Sequence, residues 1–382
     1  MLYFDNNATT MAAPEVIDFM MPYFAETYAN PSSLYSSGQK ARAAVEEARE
    51  KAAAFFNCGP SEIYFTSGGT ESDNLAIIGA AQANPARKKI ITSAIEHPAV
   101  IGAVKYLEKT GYTVAYLPAG SDGIADLSVL KKEISKDTLL VSLMAANNET
   151  GVVQPVEEAA EIAEAAGALF HTDAVNAAGK VKLDVKKQGF DLLSAAGHKL
   201  HGPKGIGILY VKKGVKIEPL IQGSKQERGL RPGTENVPLI AGLGKAFELA
   251  SGFLNDRSRV SEAAGNMKFL ENEISDRLKN VSINGSREKR LWNTFNAGLD
   301  GIEAESLIIS LDLKGAAISG GSACASGSMS SSHVLKAMGL SDEQSRRSVR
   351  ISSSRYTTRE ECVKFAELFI SSAENLRAVS AL

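Results

Sequence analysis

The amino-acid sequence predicts an α/β protein built on a mostly parallel seven-stranded sheet, with a smaller α+β domain beside it. Three observations carry this expectation. Between residues 62 and 211, short runs of β-branched and aliphatic residues alternate with helix-forming stretches. Segments bearing glycine, threonine and asparagine stand at the ends of these runs, where an open parallel sheet places its ligands. After about residue 250 the alternation gives way to a long polar helix, short strands and a final amphipathic helix.

In chain order the runs are residues 62–65, 89–92, 112–117, 138–144, 169–173, 191–194 and 206–211. Residues 156–168, rich in alanine and glutamate with Gly167 near the end, form a crossover helix. Residues 256–278 give the polar helix and 359–379 the final one. The expected division is a large domain over 15–250, with residues 1–14 and 251–382 forming a small domain that carries Cys324. Residues 319–332, dominated by serine and glycine, read as a loop.

Size and charge narrow the function. The 382 residues are 44% hydrophobic and 23% charged, the balance of a globular protein. Forty-two basic against 44 acidic side chains leave a net charge of −2, which offers no long-range attraction for nucleic acid or an anionic membrane. The first residues lack the basic and apolar regions of a signal peptide, and no later stretch reads as long and uncharged enough to span a bilayer. The expected location is the cytoplasm. Cys58, Cys324 and Cys362 are widely spaced and odd in number, which fits neither a disulfide framework nor a paired-cysteine metal site.

Chemistry concentrates in a few segments. Phe65-Thr66-Ser67-Gly68-Gly69-Thr70-Glu71-Ser72-Asp73-Asn74 runs from a strand through a glycine turn into a helix, so that free N–H groups and the dipole's positive end face an anion. The spacing is not that of a P-loop; a capped helix start is the plainer reading of the same pattern. Lys199 lies in Gly197-His198-Lys199, and Asp173 ends an apolar run 26 residues earlier. An amine to hold an aldehyde and a carboxylate to keep a ring nitrogen protonated are the two groups that pyridoxal 5'-phosphate requires. Lys204, Lys212 and Lys213 have no such company and read as solvated.

His97 precedes Pro98 at a strand-to-helix junction, where a cap is the usual role; an imidazole there can also carry a proton near neutral pH. His171, His201 and His333 have weaker claims. Cys324 sits among serines, glycines and alanines that offer almost nothing to bury it, whereas Cys362 shares a helical face with Ala366 and Phe369. Cys324 is therefore the expected exposed thiol. Arg350, on its own, reads as an ordinary ion-pair partner.

Taken together, Asp5-Asn6-Asn7-Ala8-Thr9-Thr10, Asn30-Pro31-Ser32, residues 66–74, Glu96-His97, Asn147-Asn148-Glu149-Thr150-Gly151, Gly197-His198-Lys199, Arg231-Pro232-Gly233-Thr234-Glu235-Asn236, Gly321-Ser322-Ala323-Cys324 and Arg350 resemble the NifS/IscS-type cysteine desulfurases of the class V aminotransferase group, nearly end to end. The resemblance implies the type I fold of pyridoxal-phosphate enzymes and a homodimer. It implies that Lys199 forms the Schiff base, Asp173 meets the ring nitrogen, His97 stacks on the ring, Gly69, Thr70 and His198 hold the phosphate, and Thr234 reaches the phosphate from a partner subunit. Asn148 and Arg350 align with groups that fix the substrate, the planar guanidinium gripping a carboxylate through two hydrogen bonds. Cys324 then takes sulfur from L-cysteine as a persulfide, leaving alanine, and passes it to an acceptor protein.

Five positions depart from the family pattern. Ala196 replaces a serine that contacts the phosphate, and Asn176 a longer glutamine that meets the cofactor's phenolic oxygen. Gly223-Ser224-Lys225 replaces a triple glycine, and Ser354 a glycine. The chain also stops at Leu382, short of the tail through which some relatives hold an iron–sulfur scaffold. Competing readings are a selenocysteine lyase or cysteine sulfinate desulfinase, neither of which strictly needs the thiol, and a non-catalytic sulfur carrier or scaffold. An aminotransferase fits the fold and gives Cys324 no purpose.

Overall fold

The computed structural model describes residues 1–320 and 331–380. After β1 (Leu2–Tyr3), the chain builds a large sheet from β2 (Ile63–Thr66), β3 (Lys89–Ser93), β4 (Thr113–Leu117), β5 (Thr138–Ser142), β6 (Leu169–Asp173), β7 (Leu192–Ala196) and β8 (Gly207–Val211). Its seven strands lie in the order β2-β8-β7-β6-β5-β3-β4, with β8 antiparallel to both neighbours and the remaining pairs parallel. Every residue of β5 and β7 is buried, because helices cover both faces. On one face Leu75, Ile77, Val100 and Val104 pack on the strands; on the other Val45, Phe56, Ala159 and Phe247 do so.

The strand expected to reach residue 144 ends at Ser142, and the helix expected over 156–168 stops at Ala165. Gly167 then takes φ 68° while the Ala168 N–H returns to Ala163, a left-handed turn that closes the helix.

The helix Val237–Asn255 corrects one expectation. By length and mean hydropathy, 1.3, it could cross a membrane. It is instead a core helix: Ile240, Leu243, Phe247, Ala250 and Phe253 are buried. It lies so close to the helix Ser36–Phe56 that a Cβ on Gly244 would come within 2.7 Å of the Ala48 Cα. It also continues past residue 250. Asp256 alone separates it from the helix Arg257–Arg277, whose first N–H groups the Asp256 carboxylate caps.

Beyond Asp256, β9 (Val281–Asn284), β10 (Thr294–Leu299), β11 (Ala316–Ala317), β12 (Ser319–Gly320) and β13 (Ser348–Ser352) follow. Four of them form an antiparallel sheet in the order β12-β13-β10-β9, while β11 pairs with β1. Leu270 and Ile274 from one helix, with Phe365 and Phe369 from Arg359–Ser380, fill its core. Phe4 joins them, 4.2 Å from the Phe365 ring, and so ties the N-terminus to this second body. Cys362 is fully buried in the same core.

Candidate active site

β2 ends at Thr66, and the chain turns through Ser67 and Gly68 into the helix Gly69–Ala83. Gly68 adopts φ 154°, ψ −177°, a region that only glycine enters cheaply. The turn is pressed from both sides: a Cβ on Gly207 would lie 2.8 Å from the Gly68 Cα, and one on Gly69 would lie 2.6 Å from Val175 Cγ2. The helix's first N–H groups have no intrahelical acceptor and, with the dipole, face an anion. Glu71, in that first turn, is turned away from the role of competitor. Burial raises its pKa, but hydrogen bonds from Arg231 at 2.9 Å and from the Ser67 N–H at 2.8 Å outweigh burial and hold it below the ordinary value.

Asp173 ends β6 and Lys199 closes a single turn after β7, the next strand in the sheet. Sheet order therefore brings together two residues that the chain keeps apart. The Lys199 amine donates to the carbonyl of Asn7 and, at 3.0 Å, to that of Ala8. Asp173 is buried and accepts from the Val175 N–H at 2.8 Å. Burial raises its pKa, opposed by His97, the Val175 bond and Lys199.

Asp73 lies beside it, also buried, with one carboxylate oxygen that has no hydrogen-bond partner among the described residues. Burial, and then the charge of Asp173, push its pKa well above the usual range. His171 does not relieve it, because burial between the Ser142 and Ser194 hydroxyls, at 2.8 and 3.0 Å, drives this imidazole's pKa down to about 3. Asp73, His97 and Asp173 each bring one donor atom within 4.8 Å of the others. Two buried carboxylates short of a cation are the surroundings that a protonated ring nitrogen needs.

His97 is both a cap and part of the wall. Its Nδ1 accepts from the Ala99 N–H at 3.2 Å at the start of the helix Pro98–Lys109. Burial lowers its pKa; Asp173 opposes this, while Lys199 and His333 add to it. His198 Nδ1 lies 3.2 Å from the Thr9 hydroxyl, and burial plus the nearby Lys199 push its pKa to about 4. His198 is therefore neutral at pH 7.

Gly69, Thr70, His97, Asn148, Asp173, Asn176, His198 and Lys199 line one cavity of about 250 Å³. Arg350 stands behind it: its Nη1 donates to the Asn148 carbonyl at 3.1 Å, its Nη2 to Asp5 at 2.7 Å, and its buried Nε has no partner among the described residues. Thr234 is exposed and does not reach this cavity. Cys324 lies outside the described residues. Ala8, Asp73, Met144, Ala146 and Val175 complete the wall, although sequence reasoning gave them no role. Asp73 and Ala8 stand within motifs quoted from the sequence, but nothing local marks them as lining. A larger cavity of about 1050 Å³, between β9, β10 and residues 338–348, contains no lysine, histidine or cysteine.

The departures have local consequences. Ala196 is buried and presents only a methyl group. Asn176 still lines the cavity, its amide tied to Lys180 and Asn147. The Ser354 hydroxyl accepts from the Tyr356 N–H at 3.0 Å and so stabilises its own turn.

A lysine amine and a buried carboxylate facing one cavity, with a helix start for an anion at its edge, define an enzyme of the pyridoxal-phosphate class. The chain matches the model of the class-V aminotransferase family over residues 2–365 and belongs to that family. Within it the chain groups with the cysteine desulfurases. It is similar to cysteine desulfurase 2 of Trichormus variabilis, 48% identical over 379 residues that cover 99% of this chain and 94% of the relative. A cysteine desulfurase IscS of Methanosarcina thermophila is 46% identical over 100% of this chain and 94% of its own. Among solved structures, a NifS-like protein superposes with a TM-score of 0.89 at 39% identity, covering 97% of this chain and 98% of that one. SspA in complex with cysteine gives a TM-score of 0.81 at 37% identity over 93% and 99%.

Proposed function

We propose that this chain is a cysteine desulfurase that removes sulfur from L-cysteine, releases L-alanine and keeps the sulfur as a persulfide on Cys324. The observation that carries the reading is the meeting of Lys199 and Asp173 on one cavity, at the ends of two neighbouring strands. Bound pyridoxal 5'-phosphate supplies an electron sink for the substrate's α-carbon.

The chain's own groups do the rest. Lys199, whose Nζ the Asn7 and Ala8 carbonyls orient, would hold the cofactor covalently. Asp173 would keep the ring nitrogen protonated, and the first turn at Gly69 and Thr70, with His198, would take the phosphate. Arg350 binds the substrate carboxylate together with Asn148. His97, with Nδ1 occupied by its capping bond and its pKa lowered by burial, carries the substrate proton at Nε2. The Cys324 thiolate bonds to the substrate sulfur as the C–S bond breaks; the electron pair of that bond stays with the substrate's β-carbon, which takes a proton to become alanine's methyl group.

We infer further that the enzyme works as a cytoplasmic homodimer and hands its persulfide sulfur to an acceptor protein. Exposure of Gly233 and Thr234 supports a reach toward a second copy, and Met21, Phe24, Tyr28, Leu34 and Tyr35 offer apolar surface for one. The test is Cys324→Ala. It is expected to keep the yellow cofactor and to release no sulfide from cysteine under reducing conditions; undiminished release removes Cys324 from the reaction. Comparing both forms on selenocysteine and cysteine sulfinate separates the activities that can dispense with the thiol.

A further inference from the structure

Lys180 is a buried amine that the chemistry described so far does not use. Its Nζ donates to two oxygens of one residue, the Asn176 carbonyl at 2.7 Å and the Asn176 side-chain Oδ1 at 2.9 Å. Its own carbonyl accepts from the Trp292 indole at 3.0 Å, which anchors the backbone. Burial, reinforced by Lys199 and Arg350, holds this amine well below the ordinary lysine value. Sequestering an amine costs solvation that a methionine of similar length would not.

The Asn176 amide is fixed from both ends. Its Nδ2 donates to the Asn147 carbonyl at 3.3 Å while Oδ1 accepts from Lys180. Rotating the amide by half a turn would set two acceptors against each other at Asn147 and take away the oxygen that the Lys180 amine now meets. The second hydrogen of Nδ2 is then what Asn176 offers to the cavity it lines.

We propose that Lys180 is a positioning residue, whose amine locks Asn176 so that an amide N–H, and never the amide oxygen, is presented to the ring oxygen of bound pyridoxal 5'-phosphate. This rests on the cofactor reading above. Fixing the donor beforehand also means that no rotamer freedom of Asn176 is lost on contact.

The sign of the effect follows. When the bound chromophore loses its proton, full negative charge remains on the ring oxygen, and a fixed N–H donor stabilises that state. Removing the lock raises the pH midpoint of the absorbance change. Lys180→Met is expected to raise it by about one unit, Asn176→Ala by a similar amount, and the double variant no further than Asn176→Ala alone. Lys180→Gln, which keeps an N–H donor, is expected to hold the wild-type midpoint and decides the matter if the methionine variant does not fold. An unchanged midpoint in Lys180→Met, additive shifts in the double variant, or a displaced midpoint in Lys180→Gln overturns the inference. A wild-type protein that forms no chromophore with added pyridoxal 5'-phosphate overturns the cofactor reading itself, a different result from a chromophore indifferent to Lys180.

Discussion

Arg350 Nη2 donates to Asp5 at 2.7 Å across 345 residues of chain, where the guanidinium is almost sealed from solvent. The ion pair holds the planar group by one edge, while its buried Nε has no partner among the described residues. A carboxylate that engages the remaining N–H groups meets a donor already oriented. Arg350→Lys loses the fork and its geometry. It is expected to raise KM for cysteine by about ten- to a hundredfold, from a charge-assisted bond worth about 1.5–3 kcal/mol, with a smaller change in kcat. Steady-state kinetics at fixed cofactor saturation check this; an unchanged KM rules Arg350 out as the carboxylate grip.

Asp173→Asn keeps the shape of the side chain and removes its charge. The ring nitrogen would then lose its proton-holding partner, and Asp73, buried beside it with its pKa pushed well above the usual range, is no ready carboxylate to replace it. A fall in kcat of about 10²–10³-fold, with the cofactor still bound, is the expected outcome. Stopped-flow absorbance together with turnover separates this from simple loss of cofactor.

Arg49 and Glu227 form a buried pair at 2.7 Å, both side chains 3% exposed, and Glu227 also accepts from the Phe65 N–H at 2.8 Å. Glu227 and Arg228 have φ of 44° and 55°, conformations that need such an anchor. Arg49→Met leaves a buried carboxylate without its cation, so a loss of about 3–5 kcal/mol of stability is expected. Urea unfolding measures it. Because Phe65 leads directly into the glycine turn, cofactor affinity is expected to fall as well.

Glu96 gives a pH test. Burial, despite hydrogen bonds from Ser93 and the Met144 N–H, and with Asp173 adding to it, pushes its pKa up to about 8. An unfolded glutamate titrates near about 4.3, so the folded state binds the extra proton between those values. Its contribution is present in full below the lower value and is lost as pH rises through about 8. Thermal melts of wild type and Glu96→Gln should therefore diverge as pH climbs from 5 to 8, with the wild type falling behind. Parallel curves, or the opposite divergence, would show that Glu96 is already ionised.

The large sheet was legible because each strand is a compact apolar run, and Lys199 with Asp173 was legible because few other chemistries need that pair. The antiparallel course of β8 was not, since Gly207–Val211 has the same composition as its parallel neighbours. Nor could the sequence reveal that Asn7 and Ala8 receive the Lys199 amine, or that Lys180 folds back onto Asn176. The first joins residues about 190 positions apart, and the second depends on a turn that leaves no periodic pattern. The helix Val237–Asn255 misled in the other direction, because core helices and bilayer helices share one composition.

In the register of β12 against β13, Ser319 sits opposite Arg350. Covalent geometry turns this into a tether. In the sequence only four peptide units separate Gly320 from Cys324, a contour of about 14 Å between their Cα atoms at full extension. On the proposed reading, an acceptor of the Cys324 sulfur would have to bring its own thiol within that contour, close to the sheet that carries Arg350. Lengthening the tether by a few residues would enlarge the delivery range while leaving the Arg350 anchor where it is.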